Sequence, residues 1–100
     1  MDELMEEIGK LMVLQENSAK LVNAEYAGEV KAIIREASTD RQRIEKALDI
    51  LLDFAFDANV LEIFRKLCRY YYDIAPQATC FYIQSYRELW DNEEDLKNEN

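Results

Sequence analysis

The segment ALDILLDFAFDANVLEIF, residues 47–64, decides how this chain folds, because it is helical in pattern yet cannot be a single helix. Ile44, Ala47, Leu48, Leu51, Ala55 and Ala58 cluster on one side of a cylinder at about 100° per residue. Continuing past Asn59 carries Leu61, Phe64, Cys68 and Tyr71 far around, close to the angles of Asp53 and Asp57. One helix cannot bury both sets against the same neighbour. A break is therefore expected at residues 57–60, with Asn59 capping a new helix and Glu62 at its third position, an arrangement like a capping box.

Upstream, Thr39 followed three residues later by Gln42 fits a capping box, so a second helix is expected to begin near Asp40. Before it, Leu4, Ile8, Leu11, Ala19, Val22, Tyr26, Val30, Ile33 and Ala37 recur at steps of three and four, with only Gln15 polar in the series, which predicts one long helix over residues 2–37. Met5, Met12 and Ile34 widen that stripe. Leu14 and Leu21 form a second, narrower seam, so the helix presents more than one apolar face. Gly9 and Gly28 fall off the main stripe.

Downstream, YYYDIAP ends the third helix, since Pro76 disfavours helix in the residue before it but suits the first turn of the next. Ala78, Thr79, Tyr82, Ile83, Tyr86, Leu89 and Trp90 share one face of a fourth helix. Residues 93–100 carry too little apolar content to pack and read as an acidic, frayed tail. The expected fold is all-α: an antiparallel bundle of three to four helices forming one domain over residues 1–92, the long first helix matched by the shorter second and third.

Composition agrees. Two glycines and one proline in 100 residues supply little turn chemistry for a sheet, and 49% hydrophobic residues suffice for one core. No run of about eighteen uncharged apolar residues exists, and the N-terminus is acidic where a signal peptide is basic, so a soluble, cytoplasmic protein is expected. Cys68 and Cys80 are too few for a disulfide framework and read as reduced thiols.

The net charge of −9 opposes direct binding of nucleic acid and suits a basic protein partner. There is no histidine for general acid and base work, no Gly-rich phosphate loop, and no Glu-x-x-His pair of the kind that holds metals in bundle cores. The expectation is a non-enzyme with no cofactor and no metal site.

The features left over are surfaces. Glu45, Asp49, Asp53 and Asp57 form a row at a spacing of four, opposite the core face of the second helix, with Phe56 in the same arc. Such a row is the polar back that any bundle helix needs. Yet like charges at that spacing repel mildly, and an aromatic among carboxylates resembles a protein-binding hot spot. These five residues are the candidate partner-binding site. The row alone is too sparse to imitate a DNA backbone, which carries a charge about every 1.7 Å. Glu7, Glu25, Glu29 and Glu36 form a further acidic strip on the first helix. Arg65, Lys66 and Arg69 make a basic patch beside Tyr70 on the third. That patch suits phosphate or an acidic partner, but any solvated helix back looks similar.

Two functions follow as expectations. In the first, the protein is a small acidic inhibitor or adaptor that occupies the basic, nucleic-acid-binding surface of a partner, by analogy of size, charge and helicity with DNA-mimicking anti-defence (anti-CRISPR-like) proteins of phages and mobile elements. In the second, it is a helical assembly protein whose seam of Leu14 and Leu21 drives formation of a homo-oligomer.

Overall fold

A computed structural model describes residues 2–91; the expected tail at 93–100 and the domain limit at residue 92 lie outside them. Four helices pack together, with no strand among the described residues: α1 (Asp2–Arg35), α2 (Arg41–Asp53), α3 (Ala58–Tyr72) and α4 (Pro76–Leu89). The fold is an all-α antiparallel bundle with a long N-terminal helix. None of the described helices is long and apolar enough to cross a membrane.

The turns show why the helices stop where they do. At the end of α1 the Ser38 amide donates to the Ile33 carbonyl (3.0 Å) and the Ala37 amide to that of Ile34 (3.1 Å). This is a Schellman cap, and it holds Ala37 at φ 51°, the left-handed region usually filled by glycine. The α2 cap is Asp40 rather than the expected Thr39: its carboxylate accepts from the Arg43 amide (3.3 Å). Asp57, not Asn59, caps α3, with Oδ1 accepting from the amides of Asn59 (2.9 Å) and Val60 (3.1 Å). A carboxylate accepts more strongly than a hydroxyl or an amide, and both aspartates precede a free helix N-terminus. Pro76 opens α4 as expected.

The break between α2 and α3 falls at residues 54–57 and turns the chain back sharply. As a result α3 becomes the hub, touching α1, α2 and α4, while α1 and α4 do not meet. Its buried set is accordingly wide: Val60, Phe64, Leu67, Cys68 and Tyr71. The sequence pattern found Phe64, Cys68 and Tyr71, included Leu61, which is only half-buried, and missed Val60 and Leu67, because a helix with three neighbours buries a wider arc than one stripe. On α2 the expected Ile44, Ala47, Leu48, Leu51 and Ala55 are buried. Ala58 is exposed, since it opens the new helix instead of ending the old one.

The long helix α1 is covered over only part of its length. Its 34 residues make a rod about 51 Å long, against about 20 Å for α2 and 22 Å for α3. Because α2 and α3 both pack on α1 and each is less than half its length, only the second half of the rod is covered. Ala19, Val30 and Ile33 are buried, and Val22, Tyr26 and Ile34 pack against them. Leu4, Ile8 and Leu11, expected in the core, are 62%, 43% and 61% exposed, and Ala37 is exposed in its turn. Met12 lies outside the described side chains.

Candidate protein-interaction surfaces

The acidic row of α2 is held by the protein itself. Tyr71, whose ring is fully buried, donates its hydroxyl hydrogen to Glu45 Oε2, and Arg41 Nε donates to the same hydroxyl (3.0 Å). Arg41 Nη2 also reaches Glu45 (3.4 Å). Tyr82 of α4 donates to Asp49 Oδ1 (2.7 Å) and lies 3.4 Å from the Glu45 carbonyl oxygen. Burial of the rings, and then the neighbouring carboxylates, push both phenol pKa values above the usual tyrosine range. A buried tyrosine needs a partner for its hydroxyl, and these acids are the acceptors at hand across the helix packing. Hydrogen bonds to charged groups contribute about 1.5–3 kcal/mol each, so this ladder ties α2 to α3 and α4.

The expected solvent-facing row is therefore divided in role. Glu45 and Asp49 join helices, Asp57 caps α3, and Asp53 alone is exposed with no hydrogen bond or ion pair among the described residues. Phe56 stands 43% exposed, but as part of a cluster: its ring meets Trp90 edge-on at 5.4 Å and Phe54 at 6.1 Å. Trp90 Nε1 donates to the Leu52 carbonyl (2.8 Å), fixing the end of α4 to the end of α2. Sequence reasoning placed Trp90 on a packing face and missed this bond. The signal was the rule that an indole N–H seeks an acceptor where its ring packs.

The acidic strip of α1 is partly neutralised. Arg43 clamps Glu29 through Nη2 (2.8 Å) and Nε (3.1 Å), and reaches Glu36 through Nη1 (3.1 Å). The Arg43 hydrogen bonds hold the Glu29 carboxyl below the usual range. The α1 strip thus meets a cation on α2 rather than continuing into the row at Glu45 and Asp49.

Two further surfaces stand out. The first is the uncovered half of α1. The stripe that seats residues 19–34 on the bundle runs on through Leu4, Ile8 and Leu11, with Met5 at 69% exposure on its edge. Leu14 and Leu21, the second seam, are 60% and 71% exposed and adjoin the same stripe. The second surface is a cleft of ≈ 440 Å³ between α3 and α4. Its floor includes Leu61, Phe64, Cys68, Tyr72, Ile83 and Tyr86, and Arg65, Arg69 and Arg87 stand around it, with Asp91 at its lining. Burial pushes the Cys68 thiol up to about 12, so it is a neutral packing group at physiological pH. Among the described residues the three arginines form no ion pair.

Set against known protein families, curated proteins and solved structures, the chain matches none of them.

Proposed function

We propose that this protein is a non-catalytic helical assembly module that self-associates through the projecting first half of α1. The observation that carries the reading is the continuity of the apolar stripe. One helix face is core over residues 19–34 and bare over residues 4–14, and only Gln15 interrupts its apolar stripe between the two. Leu4, Met5, Ile8, Leu11 and Leu14 average near 60% exposure. Burying a side chain of this kind is worth about 1.5–3 kcal/mol, so covering these five yields roughly 4–9 kcal/mol. That is comparable to the cost of association, about 4–15 kcal/mol, so further contacts must add to it and the assembly is expected to be concentration-dependent.

Sedimentation velocity over a range of concentrations tests the reading. Wild type is expected to shift to larger species as concentration rises, and Leu11→Asp to stay monomeric with an unchanged helical spectrum. A variant that associates like wild type would remove α1 from the assembly.

The second reading, an acidic inhibitor or adaptor on a basic, nucleic-acid-handling partner, is favoured by the net charge of −9 and by exposed Asp53 beside the Phe56–Trp90 pair. Its test is Asp53→Lys with Phe56→Ala, with melting as the control for the Phe54 and Trp90 contacts that Phe56 makes, because changing Asp49 or Asp57 breaks a helix contact or a cap. Capture of a basic partner by wild type, lost in this double variant but kept in Leu11→Asp, would favour it over self-association.

A further inference from the structure

Resting on the self-association reading, we infer that the α3–α4 cleft is the receptor for residues 3–14 of α1 from a second copy of this chain. An amphipathic helix laid in a groove is anchored by residues at i, i+4 and i+7, and Leu4, Ile8 and Leu11 have that spacing. The groove offers apolar side chains to receive them, and its α3 wall from Leu61 to Tyr72 runs about 16 Å. The three anchors span about 10 Å, so the segment fits within that wall.

Charge supplies register. Glu3 and Glu7 flank the stripe of α1 four residues apart, and Arg65 and Arg69 stand on α3 four residues apart. Both pairs repeat at about 6 Å, so two carboxylates can face two guanidiniums in one alignment. Arg87 adds a third positive group from α4. In a chain of net charge −9, a groove lined by three arginines against one acid, Asp91, suits an acidic helix, and α1 is such a helix. Pairing α1 with another α1 lacks this complementarity, because only Lys10 and Lys20 oppose the acids within its first 21 residues.

The test uses charge exchange on the full chain, read by sedimentation velocity at low salt, with helical content and melting as controls. Arg65→Glu with Arg69→Glu forms one variant, and Glu3→Arg with Glu7→Arg the other; all four positions are exposed. Each variant alone is expected to associate more than about tenfold more weakly than wild type, because like charges then face each other. An equimolar mixture is expected to recover association, since each helix regains a groove of opposite sign. If the arginine variant associates like wild type while Leu11→Asp does not, the groove is not the receptor and α1 pairs otherwise. Failure of the mixture to recover also overturns the groove. If Leu11→Asp associates like wild type, the self-association reading falls as well.

Discussion

Replacing Ala37 with glycine should make this protein more stable. Ala37 holds φ 51° because two amides, its own and that of Ser38, must reach back to carbonyls of the last turn of α1. For an L-residue that conformation costs roughly 1–2 kcal/mol, through crowding of Cβ against the backbone. Glycine removes the crowding but gives the unfolded chain more freedom, which costs about 0.4–1 kcal/mol. The difference favours glycine by about 0.5–1 kcal/mol. For a domain of this size 1 kcal/mol moves Tm by roughly 4–8 °C, so a rise of about 2–8 °C is expected. Ala37 is exposed, so no packing is lost. Thermal melts at matched protein concentration make the measurement, because self-association would otherwise shift both curves. An unchanged or lowered Tm would show that the cap is not strained and that the α1–α2 turn is held otherwise.

Three further outcomes are expected. Leu51→Ala should cost about 2–5 kcal/mol in denaturant melts, because Leu51 is fully buried at the centre of α2, while Asp53→Ala should stay within about 0.5 kcal/mol. Asp57→Ala should cost about 1 kcal/mol by leaving two α3 amides without their acceptor, and equal stability would mean that Asn59 takes over as cap. The raised phenol pKa values of Tyr71 and Tyr82 favour the neutral form in the folded state. Their contribution is complete below the unfolded tyrosine value of about 10 and declines as pH rises above it. Denaturant midpoints taken from pH 9 to 11 should fall, and fall less steeply in Tyr82→Phe; a flat profile would contradict the buried tyrosine ladder.

The periodicity of α2 made its core legible, because that helix presents one apolar face and five of its six expected core residues are buried. The break after it was legible for the same reason: Leu61 and Phe64 could not share a face with Leu51. The direction taken after the break was not legible. How α3 seats itself on its neighbours depends on turn geometry at residues 54–57, and hydrophobic pattern carries no term for it. That packing sets α3 against three helices and buries Val60 and Leu67, while α2 and α3 are too short to cover Leu4, Ile8 and Leu11 as well. The acidic row was visible as a spacing, but its roles were not, since Tyr71 and Tyr82 are 26 and 33 residues from the carboxylates they meet. Arg65 and Arg69 were recognised as a basic patch. Their place beside an apolar cleft required knowing where α4 packs.

The central claim, that the first half of α1 is an assembly surface, is tested most directly by amide hydrogen exchange of residues 3–14 as a function of protein concentration. Without a neighbour this segment is a short helix with little tertiary support, and such helices open readily in water. At low concentration its amides should exchange quickly while those of residues 19–35, seated on α2 and α3, are protected. At high concentration residues 3–14 should gain protection. Fast exchange of residues 3–14 at every concentration would contradict the account and leave α1 a bare projection with no partner in its own kind.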